Sequence, residues 1–339
     1  MVTLTDVAAA AGVSTATVSH VINQTRHVAP STVERVRRAI RDTGYHRNPH
    51  ARALRTATTE SVGFVASDIA NPFSTAVMRG IAAALRQARY TMLVANADES
   101  PALEREIVDT LTRQRVDGLI VALTAESSDS DIAHIASRGL PVVLIDRAVP
   151  LAVDQVLVEN TESVAVLVGE MLDLGHRRIA IVAGKEHHST TMERVEGWRL
   201  AHRQRGLTPD EALISSGAVD ADDARLATAR LLGLADPPTA FFSASNVISL
   251  GVLRGLMEAG LSVPDQISFA AFDDLEWADL LGTPITCLAQ PTFELGQSAV
   301  ALLLRRLADP NAEYRTLRLP PEPCHRKSIT VPRTGGAPA

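Results

Sequence analysis

"TLTDVAAAAGVSTATVSHVIN", residues 3–23, carries its own punctuation. Thr5 is placed to cap a short helix containing Val7, Ala8 and Ala11, and Gly12 closes it as a residue that accepts positive φ. Ser14 then caps a second helix whose apolar positions are Val18, Val21 and Ile22. Two short helices joined by a tight glycine turn predict a helix-turn-helix. Thr15, Ala16 and Thr17 open the second helix, with His20 one turn on, and face away from its apolar side. That is the end of the motif that enters a major groove. Ser14, Ser19 and Asn23 can donate to phosphates, and Thr5 and His27 complete the candidate DNA-contacting set. A third amphipathic segment, "STVERVRRAIRDTGY" (31–45), is expected to bury Val33, Val36 and Ile40 and to end near Gly44.

Charge supports this division of the chain. Of the 339 residues, the first 59 hold eight arginines against Asp6, Glu34 and Asp42, a net of +5. The whole chain is at −6, so the remainder stands at −11. A basic head on an acidic body points to a polyanion partner for the head alone.

"NPHARALRT" (48–56) follows the head. Asn48 and Pro49 start it as a helix, yet isolated helices below roughly 12–15 residues are marginal in water. It carries one large apolar side chain, Leu54, between Arg52 and Arg55.

Beyond residue 59 the pattern becomes an alternation of strands and helices. Strand-like runs at 62–66, 91–95, 118–122 and 141–145 are separated by helical stretches such as 73–88 and 101–114. A second series repeats the theme at 177–184, 194–206, 239–245, 246–260 and 266–274. Such alternation predicts parallel sheets with helices on both faces, and two series predict two lobes, although no close residue-level repeat is visible. Ligands of open α/β sheets bind beyond the carboxyl ends of the strands. The strand ends here are "DIANPF" (68–73), "IDR" (145–147), "SASN" (243–246), "FDD" (272–274) and "AQP" (289–291), with Arg194 after another. Carboxylates, arginines, an amide and an aromatic are the groups that a polyhydroxylated ligand needs.

With both halves in view, the chain resembles the LacI/GalR family of transcriptional regulators over nearly its whole length. The head and hinge resemblance rests on "LTDVAAAAGVSTATVSHVIN" and "NPHARALRT". It implies that the hinge folds as a helix on the operator and that Leu54 wedges into the minor groove at a central CG step. Arg52 and Arg55 would then contact phosphate or the narrowed groove. The body resembles the periplasmic sugar-binding-protein fold that this family uses as an effector domain. Under that resemblance Asn71 and Phe73 line one lobe, and Asp146 and Arg147 bind hydroxyls there. Arg194, Asp273 and Gln290 complete the site from the other side. Ser245 stands where the sugar pattern usually has Asn, and Ser74 where a second aromatic is common; both departures enlarge the pocket, and a nucleobase is the alternative effector.

The expected organisation is a small all-α helix-turn-helix head (1–45), a hinge (46–58), and an α/β two-lobed, periplasmic-binding-protein-like core with parallel sheets (59–333). Its N-lobe is expected to use about 60–160 plus 291–322 and its C-lobe about 161–290 plus 323–333, with a disordered tail at 334–339.

Catalytic motifs are lacking. There is no G-x-G-x-x-G and no G-x-S-x-G, and the "GK" at 184–185 has Ile179 where a P-loop needs its first glycine. His187 and His188 are adjacent rather than at the i, i+4 spacing of a shared metal. No cofactor or metal is expected. Two cysteines, Cys287 and Cys324, and the absence of a signal-like start or a bilayer-length apolar run fit a cytoplasmic protein. The expectation is a repressor that binds a palindromic DNA operator as a homodimer and is switched by a small molecule, a sugar or sugar derivative. The alternatives are a sugar-binding or sugar-processing protein with an incidental basic head, and a regulator that answers to a nucleobase or a partner protein.

Overall fold

A computed structural model describes residues 2–23, 25–45, 58–124, 127–274 and 282–333. The chain forms two compact units, Met1–Thr59 and Glu60–Ala339.

The first unit holds helices α1 (Leu4–Ala11), α2 (Thr15–Asn23) and α3 (Pro30–Thr43). Thr3, not Thr5, caps α1. The Thr3 hydroxyl accepts from the Asp6 amide, and Asp6 accepts from the Thr3 amide at 2.8 Å. The box needs an acidic or amide residue three positions after the cap; Thr3 has Asp6 there, whereas Thr5 has Ala8. Thr5 therefore sits exposed in the first turn. Gly12 ends α1 at φ +62°, and the Ser14 hydroxyl accepts from the Thr17 amide at 3.1 Å to start α2. Val7, Ala8, Ala11, Val18, Val36 and Ala39 form the core. Val33 is only half-buried and stays outside that cluster, its expected place being taken by Ala39, while Ile40 packs at the margin.

The second unit contains two six-stranded sheets among the described residues. The first is built from β1 (Ser61–Ala66), β2 (Thr91–Asn96), β3 (Gly118–Ala122), β4 (Val142–Ile145), β5 (Asp154–Val158) and β11 (Thr316–Leu319). Its order is β11-β5-β4-β3-β1-β2, with every pair parallel. The second holds β6 (Ile179–Val182), β7 (Ile214–Ser215), β8 (Ala240–Ser243), β9 (Ser268–Phe272), β10 (Thr286–Ala289) and β12 (Glu322–Cys324). Its order, β12-β10-β9-β8-β6-β7, repeats the first strand for strand, except that β12 runs antiparallel to β10. The chain crosses between sheets after β5, after β10 and after β11. Near-continuous apolar strands such as "SFAAF" suit this arrangement, because both faces of a parallel sheet are covered by helices.

The helices are α4 (Pro72–Gln87), α5 (Pro101–Arg113), α6 (Asp129–Ala136), α7 (Thr161–Asp173), α8 (Ser189–Gln204), α9 (Ala221–Leu232), α10 (Asn246–Glu258) and α11 (Thr292–Ala308). Helix α11 returns from the second sheet to lie against α4, so closely that a Cβ on Gly80 would stand 2.1 Å from the Phe293 carbonyl oxygen. Trp198, on α8, is fully buried and donates its indole N–H to the Ile179 carbonyl at 3.0 Å, which makes it a core residue. Among the described residues no helix is long and apolar enough to cross a membrane.

Candidate functional site

Eight predicted ligand contacts meet at the carboxyl ends of the two sheets. Asn71, Phe73, Asp146, Arg147, Arg194, Ser245, Asp273 and Gln290 all line one cleft of about 340 Å3.

From the first lobe, Asn71 caps α4, its side-chain oxygen accepting from the Phe73 amide at 3.0 Å. This cap fixes Phe73 in the first turn, with its ring in the cleft wall. Asp146 leaves β4 with φ +73°, a left-handed conformation that Asp tolerates better than most residues. Its carboxylate makes no hydrogen bond to the described residues. Burial raises its pKa, the Arg147 and Arg194 guanidinium groups oppose that rise, and Asp273 and Glu99 add to it. Arg147 is largely engaged by the protein itself: it donates to the Leu123 carbonyl and, at 3.4 Å, to Glu99. It nonetheless lines the cleft, and its charge lies close enough to oppose the raised pKa of Asp146.

From the second lobe, Arg194 is 5% exposed and stacks over the Phe272 ring at 3.6 Å. Its Nε donates to Asn160 at 2.8 Å and Nη1 to the Ala244 carbonyl at 2.6 Å, leaving Nη2 without a hydrogen bond to the described residues. Burial pulls its pKa down, while Asp273 and Asp146 support the cation. Asp273 is already satisfied on both oxygens, by the Asn246 amide at 2.9 Å and Gln290 Nε2 at 2.5 Å. Gln290 Oε1 is buried with no protein partner among the described residues, an acceptor aimed at a ligand or water. Ser245 caps α10, its hydroxyl 3.5 Å from the Ile248 amide, so its first duty is local.

Asn246 was missed by sequence reasoning. Its amide group donates to Asn71 across the cleft at 3.0 Å while its backbone holds Asp273. It lies inside the "SASN" strand end, but nothing in one sequence says that its side chain reaches the opposite lobe. Asn160, which orients Arg194, follows β5 and gave no signal either.

In the head, Ser14, Thr15 and Ala16 are exposed along the start of α2, and His27 is exposed beyond its end. Thr17, Ser19, His20 and Asn23 are half-buried. Thr17 shares a hydrogen bond with Ser14 at 2.9 Å, and His20 Nδ1 meets Thr25 at 2.9 Å. Asn23 donates to the Ser19 carbonyl and hydroxyl, at 2.8 and 3.0 Å, so its expected donation to phosphate competes with its own helix. Arg52, Leu54 and Arg55 lie outside the described residues, as does all of the expected hinge except Thr58, and so does the tail at 334–339.

A helix-turn-helix unit in one chain with a two-lobed, periplasmic-binding-protein-like unit defines a DNA-binding transcription regulator that carries a small-molecule cleft. The chain belongs to the LacI family. The family described as "Bacterial regulatory proteins, lacI family" matches residues 3–48, and "Periplasmic binding proteins and sugar binding domain of LacI family" matches residues 59–327. It is similar to the HTH-type transcriptional repressor PurR of Photobacterium profundum, with 32% identity over 97% of this chain and 99% of that one. Among solved structures it resembles the Lac repressor dimer bound to operator and the anti-inducer ONPF, at TM-score 0.87 and 27% identity over 97% and 99% of the two chains. It also resembles a transcriptional regulator CelR–cellobiose complex, at TM-score 0.73 and 30% identity over 97% and 100%. The chain is thus a DNA-binding transcriptional repressor of this family.

Proposed function

We propose that the protein represses transcription as a cytoplasmic homodimer on a palindromic operator, and that a sugar or sugar derivative in the cleft controls its affinity for DNA. The observation that carries the sugar reading is the set of unfilled polar groups around the cleft. The Asp146 carboxylate and Gln290 Oε1 need donors, and Arg194 Nη2 needs an acceptor. A hydroxyl supplies either, and a ring bearing several hydroxyls supplies them at once. Phe73 offers one apolar face for such a ring, whereas the second aromatic near the cleft, Phe272, is covered by Arg194. A flat nucleobase gains most from stacking, and one open ring offers it half a sandwich. The bound cellobiose of the CelR relative supports the same reading.

Coupling follows from construction. Both sides of the cleft supply ligand groups, so a ligand that favours one angle between the lobes shifts the equilibrium between arrangements. In a dimer this changes the spacing of the two hinges, and with it whether Leu54, Arg52 and Arg55 can engage the minor groove. Thr15, Ala16, Thr17 and His20 read each half-site. The test is a thermal-shift panel of pentoses, hexoses, disaccharides and nucleobases, followed by operator binding with each hit. A sugar hit that changes operator affinity is expected; a nucleobase as the sole hit overturns the sugar reading and leaves the regulator intact.

A further inference from the structure

The two cysteines of the chain lie far apart in sequence and directly opposite in space. Cys287 on β10 and Cys324 on β12 are Cα partners in the antiparallel ladder, and both are free thiols. Their sulfurs and an Asp274 carboxylate oxygen all lie within 4.8 Å of one another. Directly opposed antiparallel residues have Cα atoms about 4.5–5.5 Å apart, inside the roughly 4.4–6.8 Å that a disulfide spans. Closure therefore needs side-chain rotation and no movement of the strands.

We propose that Cys287 and Cys324 are a modification site, a cross-strand dithiol that a hydroperoxide closes to a disulfide behind the effector cleft. Cys287 is 1% exposed and Cys324 is partly exposed, which assigns the roles. The Cys324 thiolate attacks a peroxide oxygen, the O–O bond breaks, and an alcohol (water, for hydrogen peroxide) leaves after taking a proton. The Cys287 thiolate then attacks the sulfenic sulfur of Cys324, the S–O bond breaks, and water leaves. In sum two thiols and one hydroperoxide give one disulfide, one alcohol and one water.

Arg326 stands beside both steps, donating to Cys287 Sγ at 3.4 Å and holding Asp274 through both terminal nitrogens at 2.7 and 2.8 Å. A guanidinium there favours the attacking thiolate of Cys287. It also disfavours a metal: the carboxylate that would be the third ligand is already bound to a cation, and a structural zinc needs four ligands. Burial raises both thiol pKa values; Asp274 adds to the rise at both, Glu322 adds to it at Cys324, and Arg326 opposes it, so oxidation should quicken as pH rises.

The site's position gives it reach. Asp274 directly follows the cleft residue Asp273, and Cys287 precedes Gln290 on the same strand end. The Asp273 amide donates to the Leu288 carbonyl of β10 at 3.0 Å. Clamping β10 to β12 thus stiffens the ladder that presents Asp273 and Gln290.

The full chain is treated with hydrogen peroxide at neutral and alkaline pH and followed by thiol titration, intact mass and non-reducing gels. Titratable thiols fall from two to none, the mass drops by two hydrogens, and the product contains no intermolecular disulfide. Dithiothreitol restores both thiols. The melting temperature rises by about 5 °C, as expected for cross-linking a loop of this size. Hydrogen exchange slows at the Asp273 amide. Cys287→Ser stops at a sulfenic acid on Cys324 that dimedone traps; should that variant not fold, Cys324→Ser carries the test, leaving Cys287 unreacted. Two persisting thiols, disulfide-linked dimers through Cys324, zinc that co-purifies and is lost in Cys324→Ser, or unchanged exchange at Asp273 would each overturn the proposal.

Discussion

Asp146 and Asp273 are the same position built twice. Each follows the fourth of the strands that its lobe contributes in chain order, β4 in one and β9 in the other, and each is left-handed, at φ +73° and +78°. Each donates its amide to the next strand, Asp146 to the Val156 carbonyl at 3.2 Å and Asp273 to that of Leu288 at 3.0 Å. The left-handed turn aims both carboxylates into the cleft. They differ in what meets them: Asp273 is held by Asn246 and Gln290, while Asp146 is left open by the described residues.

Asp146→Asn therefore separates binding from stability. Losing a charge-assisted acceptor should weaken the effector by about tenfold or more. The unliganded protein should melt higher at neutral pH. Burial raises the folded pKa of Asp146 above its ordinary 3.8, so the ionised carboxylate opposes folding at neutral pH. That opposition fades as pH falls through the raised value, and so does the advantage of Asn. Thermal melts with and without the sugar hit, run across pH, check both signs. Effector affinity of the unmodified chain should likewise fall on acidification at a pH above 3.8.

Thr3→Ala should destabilise the head by about 1 kcal/mol through loss of the α1 cap, whereas Thr5→Ala should stay within roughly 0.5 kcal/mol. Hydrogen exchange of the α1 amides distinguishes them. Equal effects would contradict the capping box.

Gly80→Ala places a methyl against the Phe293 carbonyl, backbone that cannot rotate away. Helices α4 and α11 must separate, at a cost of about 1–3 kcal/mol. Urea unfolding measures it, and a neutral result would show that the two helices are not so close.

Leu54→Ala should weaken specific operator binding on the order of 30-fold, the loss of about 2 kcal/mol of apolar burial. Nonspecific binding should change little, because phosphate contacts carry it. Equal losses on both DNAs would refute the wedge.

Much of this architecture was legible because its signals are local. The glycine turn at Gly12, the cap at Ser14 and the strand runs at 62–66 and 118–122 follow from capping and periodicity over a few residues. The strand-end rule pointed to the segments, the family resemblance picked eight residues from them and from the helix that carries Arg194, and all eight line one cleft. What escaped depends on non-local partners. Asn246 and Asn160 act through residues 175 and 34 positions away. Two lobes of like construction were legible in the repeated strand-helix series, but the equivalence of Asp146 and Asp273 was not, since it resides in strand order and backbone conformation; "IDR" and "FDD" share only the Asp. The misplaced cap was a local error, for the capping box with Asp6 selects Thr3 over Thr5.

The most direct test is footprinting of the purified chain on the DNA upstream of its own coding sequence, with and without the sugar that raises its melting temperature. Protection of a palindrome with twofold symmetry is expected, with a change in its affinity of at least about fivefold when the sugar is added. Equal binding to that DNA and to random DNA, unmoved by any member of the panel, would contradict that expectation.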